Sequence, residues 1–313
     1  MDRRTLAYAG LAVSTLGWAS AFVVGKLVLA AMPPLPVAVW RYAAAATVLL
    51  PFALRRRPRE RIGRTAAPLA VMVVAGGVLY PWLFLQALVH TSATNTALLI
   101  ALNPVLSVVF SPLFGERLDR RRAAGVALAL LGAVTVITQG DPRRLAALSL
   151  NAGDLIAVAA AGSWAAFNLA SRAVVARLPA SFVNCVVYSA GGIALAALGY
   201  RDHPWTALTA ATPATLAGIL AMALLSSVMA GQFFLFGVRT VGVTRTVVFV
   251  YLVPVLTAVL AAAFLGERFH AAQAVGGAAV LAGVYWTTSG RAAVGRVADQ
   301  ADERQEAGDV VVA

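Results

Sequence analysis

Long apolar segments, separated by short polar or basic ones, run through almost the whole chain. A helix needs roughly 20 apolar residues to cross the ~30 Å hydrocarbon core of a membrane. Ten segments come close to that length: 5–31, 36–54, 67–89, 94–114, 120–138, 151–176, 182–199, 213–238, 244–265 and 270–289. The pattern predicts an all-α integral membrane protein with ten transmembrane helices, five in each half.

Particular positions in the first half recur in the second half. Trp18, Lys26, Pro33 and Tyr42 recur 146 residues later as Trp164, Arg172, Pro179 and Tyr188, and Thr96 and Pro104 recur 150 residues later as Thr246 and Pro254. Gly115, Gly125 and Gly132 recur 151 residues later as Gly266, Gly276 and Gly283. Because five spans is an odd number, the two copies are expected to face opposite ways. Inverted repeats are typical of alternating-access carriers.

The repeat and the polar segments divide the chain into four parts. We predict a first five-helix repeat at 1–138, a connecting loop at 139–150, a second repeat at 151–290, and a tail at 291–313. The tail is acidic and poor in apolar residues, which predicts disorder. We expect both the tail and the N-terminus to lie in the cytoplasm.

Composition and charge support a membrane protein and argue against a nucleic-acid partner. Hydrophobic residues make up 60% of the chain, charged residues 12%, and the mean hydropathy is +0.82. The net charge of +12 comes mainly from Arg in those loops that face the cytoplasm if the N-terminus is inside. Such loops set orientation and contact anionic lipid. The predominance of Arg over Lys and the abundant Ala favour a GC-rich bacterium, and hence its cytoplasmic membrane.

Features typical of cofactor sites and enzymes are missing from the sequence. Cys185 is the only cysteine, so no disulfide within the chain or Cys-based metal site is possible. No phosphate-binding loop is present, and we expect no cofactor. Ser163 lacks the Gly-x-Ser-Gly context of intramembrane serine proteases, and His90, His203 and His270 lie at span ends or in loops. We therefore expect a protein that is not an enzyme.

Several motifs resemble those of the EamA-type members of the drug/metabolite transporter superfamily. They are Gly17-Trp18-Ala19-Ser20-Ala21-Phe22, Trp40-Arg41-Tyr42, Asn103-Pro104-Val105 leading to Gly115-Glu116-Arg117, and Pro254-Val255 leading to Gly266-Glu267-Arg268. The resemblance covers all but the tail. It implies ten helices around a central cavity and the export of small metabolites such as amino acids.

A substrate site is expected near the middle of the membrane, where carriers hold their solutes. Aromatic and amide side chains reach that depth in several spans, and they form the candidate set Trp18, Phe22, Tyr80, Trp82, Asn103, Trp164, Asn168 and Gln232. An aromatic cavity with a few amides suits a neutral or zwitterionic solute better than a phosphorylated one. The alternative is that these aromatic rings only pack between helices.

One cation and two prolines complete the candidate site. Arg41 lies about two turns inside the outer end of span 2, where it either binds a substrate carboxylate or anchors the helix. Pro104 and Pro254 lie within spans 4 and 9, and they are predicted to be paired hinges. Proline also frees the carbonyl four residues earlier, here Ile100 and Val250, and Pro81 in span 3 would free Gly77.

These observations favour a secondary transporter that exports amino acids or related metabolites. An intramembrane enzyme and a relative that carries drugs or sugar phosphates are the alternatives. Asp154 lies at the outer start of span 6, and no span carries an acidic residue near its centre, so no residue is assigned to ion coupling. Small residues at four-residue spacing, such as Gly125, Ala129 and Ala133, fit packing within a monomer or between the subunits of a homodimer.

Overall fold

The chain is helical throughout the part that the structure describes. A computed structural model describes residues 2–55, 58, 62–110, 120–141, 143, 151–175, 177–241, 249–250 and 252–289. The first half contains α1 (Arg3–Leu29), α2 (Pro34–Arg55), α3 (Ala66–Met72), α4 (Tyr80–His90), α5 (Ala93–Ile100), α6 (Asn103–Phe110) and α7 (Arg120–Thr138). The second contains α8 (Ala152–Val175), α9 (Ala180–Leu198), α10 (Pro204–Thr209), α11 (Pro213–Ala221), α12 (Ala230–Val241), α13 (Val253–Leu265) and α14 (Ala271–Ser289). These ranges include no β-strand, which confirms the predicted all-α class.

Six described helical stretches are long and apolar enough to cross a membrane. They are Arg3–Leu29, Pro34–Arg55, Ala66–His90, Ala152–Ser171, Ala180–Leu198 and Pro213–Phe234. Four apolar stretches are shorter: Ala93–Ser107, Ala123–Thr138, Val253–Leu265 and Ala271–Trp286. The multi-pass architecture is therefore clear, whereas the count of ten spans stays a prediction. The predicted tail at 291–313 and the loop carrying Glu116 and Arg117 lie outside the described residues.

Two long helical stretches contain a π-helical segment at matched positions. The first π segment (Val73–Leu79) joins α3 to α4, and the second π segment (Met222–Met229) joins α11 to α12. The second begins 149 residues after the first and ends 150 residues after it. π-helical turns are rare and occur frequently at functional sites. The sequence analysis did not predict either segment.

The helix breaks lie directly before the two predicted hinge prolines. α5 ends at Ile100 and α6 restarts at Asn103, so Pro104 occupies the first turn of α6. Pro254 likewise occupies the first turn of α13. Proline is tolerated in a first turn because its missing N–H has no intrahelical partner there. The predicted span at 94–114 is thus interrupted before Pro104, and a hinge role for the two prolines stays a prediction.

The two halves exchange contacts near the middle of the bundle. α1 packs against the second π segment and α12, whereas its counterpart α8 packs against the first π segment and α4. Gly17 shows how close this packing is, since a Cβ on it would lie 2.7 Å from the Leu225 carbonyl oxygen. Residues of α1 and α8 therefore meet the π segment of the opposite half.

A second contact between the halves is formed by glycines of α7 and α14. A Cβ on Gly132 would lie 2.5 Å from the Gly276 carbonyl oxygen, and one on Gly283 would lie 2.5 Å from that of Gly125. Only glycine allows backbones to come this close. The small-residue stripe of α7 thus packs inside the chain, and it needs no second copy as its partner.

Candidate functional site

A continuous chain of aromatic rings crosses the middle of the protein. The edge of Phe22 meets Phe84 with ring centroids 5.1 Å apart, Phe84 stacks on Tyr80 at 5.9 Å, and Tyr80 contacts Trp164 at 4.6 Å. Phe167 continues the chain by stacking on Trp164 at 4.6 Å. We call these five residues the aromatic chain. It joins α1 and α4 of the first half to α8 of the second, and it contains three of the predicted site residues.

Trp18 lies apart from the aromatic chain, against the opposite half. Its indole N–H donates to the Ser226 carbonyl oxygen at 3.2 Å, in the second π segment. Its ring tilts against Phe234 of α12 with centroids 5.5 Å apart. Trp164 likewise contacts the other half, where its ring lies against Tyr80, the residue directly after the first π segment. The two matched tryptophans therefore each contact the π-containing helix of the other half.

Arg41 is buried, and the described residues place no carboxylate within ion-pair distance of it. Its side chain is 8% exposed. The guanidinium donates from Nε to the Ser227 hydroxyl and from Nη2 to the Ser226 hydroxyl, both at 3.0 Å. It also lies 6.0 Å from the centre of the Phe84 ring. A buried cation is costly without a negative partner, and neutral hydroxyls offset only part of that cost.

The π segments are held by two tyrosines that the sequence analysis paired but did not place in the site. Tyr42 donates its hydroxyl to the Gly76 carbonyl oxygen at 3.0 Å, and Tyr188 donates to that of Ser227 at 3.2 Å. Their rings are 4.7 Å apart. The recurrence of Tyr42 as Tyr188 was the signal that could have identified them.

The first π segment changes the backbone register just before Pro81. In this segment the Tyr80 N–H donates to the Ala75 oxygen, five residues back. The next carbonyl along the helix, that of Gly76, accepts from the Tyr42 hydroxyl. Release of the Gly77 carbonyl by Pro81 stays a prediction.

Asn103 and Asn168 meet across the boundary between the halves. The Asn168 amide donates to Asn103 Oδ1 at 3.3 Å, and the Asn103 amide donates to the Ile100 carbonyl oxygen at 3.0 Å. Ile100 is the carbonyl that Pro104 was expected to free. The break in the fourth span is thus capped by one predicted site residue and linked to α8 by another.

Two other predicted residues lie farther from these contacts. Trp82 on α4 is 38% exposed, and none of the described ring pairs includes it. Gln232 is half-buried on α12, two residues before the Phe234 that packs on Trp18. Trp82 thus faces outward more than the other candidates do.

A buried polar cluster at one end of the bundle was missed by the sequence analysis. Asp154 Oδ1 accepts from the Thr91 hydroxyl at 2.6 Å and from the Asn95 amide at 3.2 Å. The Gln273 amide in turn donates to Asn95 Oδ1 at 2.6 Å. We call Thr91, Asn95, Asp154 and Gln273 the Asp154 cluster. It joins α8 and α14 of the second half to the α4–α5 junction of the first.

Beside this cluster, Glu267 caps α5. Its carboxylate accepts from the Ala93 N–H at 2.7 Å and from the Thr94 hydroxyl at 2.8 Å. Glu267 of the Gly266-Glu267-Arg268 motif thus serves as a cap of a helix other than its own. Negative charge at a helix N-terminus is also favoured by the helix dipole. Residues of both halves therefore hold this end together.

Known proteins resemble the chain in sequence and in fold. The model of the EamA-like transporter family matches residues 5–138 and again 151–289. The chain belongs to the EamA-like transporter family. An "uncharacterized transporter" of Archaeoglobus fulgidus is 28% identical over 281 residues, which cover 89% of this chain and 96% of that protein. A solved structure with 20% identity has a TM-score of 0.60, and the match covers 92% of this chain and 97% of that one.

Two EamA-like relatives have more specific names. A "probable terminal-alkyne amino-acid exporter" of Streptantibioticus cattleyicolor is 30% identical, and the match covers 88% of this chain and 90% of that one. A "probable amino-acid metabolite efflux pump" of Salmonella typhimurium is 26% identical, and here the match covers 86% and 90%. Membership of this family makes the chain a multi-pass membrane transporter.

Proposed function

We propose that the chain is a secondary transporter that exports amino acids or related carboxylated metabolites by alternating access. Its place would be the cytoplasmic membrane of a bacterium, with both termini in the cytoplasm. The observation that carries this proposal is Arg41, a buried cation without a described carboxylate partner, beside the aromatic chain. A substrate that combines a carboxylate with an apolar side chain matches both features.

The geometry around Arg41 supports a role for this side chain in binding a substrate carboxylate. The Arg41 guanidinium presents several N–H donors in a planar fork, which suits a carboxylate. Its two described hydrogen bonds go to neutral serine hydroxyls, which can reorient as a ligand enters. Phe84 belongs to the aromatic chain and its ring centre lies 6.0 Å from the Arg41 guanidinium, so one solute could contact the cation and the rings together.

The location between the halves supports alternating access. Phe22, Tyr80 and Trp164 come from both halves, and the Asn103–Asn168 bond crosses the same boundary. A site at such a boundary is reshaped when one half moves against the other. The relatives named as amino-acid exporter and amino-acid metabolite efflux pump favour the same substrate class.

Counterflow in proteoliposomes tests the proposal directly. Vesicles that contain the purified full chain are loaded with unlabelled phenylalanine, and uptake of labelled phenylalanine is followed. Phenethylamine, which has the same ring without the carboxylate, serves as the competitor. We expect phenylalanine to compete at least about tenfold better, equivalent to about 1.4 kcal/mol. Equal competition by the amine, or no counterflow across a panel of amino acids in sealed vesicles, would contradict the proposal.

Arg41→Gln and Arg41→Lys then assign the preference to one side chain. The Gln variant removes the charge, so we expect it to lose the preference for the carboxylate. The Lys variant keeps the charge but not the planar fork, so we expect an intermediate preference. Counterflow of a phosphate ester by the unaltered protein would instead favour the sugar-phosphate alternative.

A further inference from the structure

The Asp154 carboxyl group is buried, and the described residues place no cation within ion-pair distance. Its side chain is 2% exposed. The described donors to it are the Thr91 hydroxyl and the Asn95 amide, both of which are neutral. Burial away from water disfavours an ionised carboxylate strongly, and neutral donors offset only part of this cost. The position of Asp154 in the first turn of α8 favours the carboxylate, but this dipole effect is smaller.

The hydrogen bonds of Asp154 leave room for a proton on one oxygen. Oδ1 accepts both of the shorter bonds, at 2.6 Å from Thr91 and 3.2 Å from Asn95. Among the described residues, Oδ2 has one contact, at 3.4 Å with the same Asn95 amide. A carboxyl group protonated on Oδ2 therefore keeps both of the shorter bonds and gives up only the long contact with the Asn95 amide. The arrangement does not require a negative charge.

The backbone at this end is closed tightly around the cluster. A Cβ on Gly153 would lie 2.6 Å from the His90 carbonyl carbon and 2.7 Å from the Thr91 nitrogen. Separation of α8 from the end of α4 would expose Asp154 to water. Because these helices belong to opposite halves, that separation is a movement of the kind that opens a carrier at one end.

We propose that Asp154 is a proton-binding site linked to closure of this end. The carboxyl group is protonated on Oδ2 while the end is closed, and it ionises when the end opens to water. Opening releases this proton to the adjoining compartment, and closing takes one up. Low pH on that side therefore favours the closed form, and high pH favours opening. The inference rests on the proposed alternating access, which defines an open and a closed end.

The described ionisable groups on the surrounding elements include Lys26, His90, Glu267, Arg268 and His270. The Lys26 ammonium donates to the Thr91 carbonyl oxygen, and Glu267 caps α5. The side chains of His90 and His270 are exposed. Among these described groups, Asp154 is the one that is almost completely buried without an opposite charge in contact.

Hydrogen–deuterium exchange of the full chain in lipid nanodiscs tests the inference without a substrate. The readout is amide exchange at 90–96 and 151–156, compared between wild type and Asp154→Asn at each pH. The ratio of the two rates cancels the intrinsic pH dependence of exchange. The variant amide is neutral and has the same shape as the protonated carboxyl group, so we expect it to stay closed at every pH.

The expected result is a ratio near one at low pH that rises with pH. Wild type should exchange at least about tenfold faster than Asp154→Asn at high pH. This is the change in the opening equilibrium expected over one pH unit when opening releases one proton. Asp141→Asn changes an exposed carboxylate near the same end and should behave as wild type. If Asp154→Asn does not fold, Asp154→Ser supplies a second side chain that cannot ionise in the pH range of the test.

Two results would overturn the inference. One is a ratio that stays constant with pH, which would mean that ionisation of Asp154 is not linked to closure. The other is faster exchange in Asp154→Asn than in wild type at every pH, which would mean that the negative charge holds the end closed. Neither depends on counterflow, so the transport proposal and the proton site can fail separately.

Discussion

The two matched tryptophans differ in what their side chains contact. Trp164 stacks within the aromatic chain, whereas Trp18 packs on Phe234 and donates to the Ser226 carbonyl oxygen. Trp164 is therefore the better placed of the two to touch a solute beside Tyr80. Trp18 instead hydrogen-bonds to the second π segment, at one of the two serines whose hydroxyls accept from Arg41.

We expect Trp164→Ala and Trp18→Ala each to lower transport at least about tenfold, a loss of about 1.4 kcal/mol. Alanine removes a stacking surface in the first case and a hydrogen bond to the π segment in the second. Counterflow normalised to the amount of protein in the membrane measures the effect. Phe264→Ala is the control, since that ring is 68% exposed on α13. Near-normal transport in both tryptophan variants would remove these residues from the site.

Residue identity in the sequence indicated some of the side chains that the structure brings together and missed others. Aromatic residues at the expected depth predicted Phe22, Tyr80 and Trp164, and the structure joins these three rings in one chain through Phe84. Asp154 was missed because its burial depends on Thr91 and Asn95, which reach it from the other half. Such contacts are not visible in a local pattern.

At the scale of elements, the prolines and the π segments interrupt regular helices at matched places in the two halves. Hydropathy predicted the apolar stretches well because each needs a minimum apolar length. It could not predict the π register, in which Tyr80 bonds Ala75, because that register is stabilised by the Tyr42 hydroxyl on a different helix. The π segments follow from tertiary contacts.

The double variant Pro104→Ala and Pro254→Ala tests the predicted hinges. Alanine restores an N–H that can bond the carbonyl four residues earlier, and it removes a penalty on the order of 3 kcal/mol for a continuous helix. We expect an unchanged or higher melting temperature together with slower turnover at saturating substrate. Thermal unfolding and counterflow rates measure the two effects.

Pro51→Ala provides the matched control for this pair. Pro51 also lies inside a helix, but it is exposed near the end of α2 and far from both breaks in sequence. It should leave turnover as in wild type. Unchanged turnover in the double variant as well would mean that the breaks are fixed parts of the fold and do not act as hinges.

At the scale of the whole molecule, the glycines of α7 and α14 set how closely the two halves approach. Gly276→Ala would place a Cβ 2.7 Å from the Gly132 carbonyl oxygen, so the helices must separate. Overpacking of this kind costs about 1–3 kcal/mol. We therefore expect a lower melting temperature in detergent.

Gly162→Ala is the control for this substitution. A Cβ there would meet Leu106 Cδ1 of α6 at 3.9 Å, which is ordinary van der Waals contact. Its melting temperature should equal or exceed that of wild type, since alanine favours a helix. Equal melting temperatures for Gly276→Ala and wild type would show that α7 and α14 adjust without cost.

The glycine contact has a further property that concerns its symmetry. Gly125 and Gly132 correspond to Gly276 and Gly283 at an offset of 151 residues. Gly125 meets Gly283 and Gly132 meets Gly276, so each position touches the counterpart of the other. This reciprocity defines an isologous interface, the kind that two identical subunits form about a two-fold axis. A single chain has here the internal contact of a homodimer, as would be expected if two separate copies of one half had once assembled and then been fused.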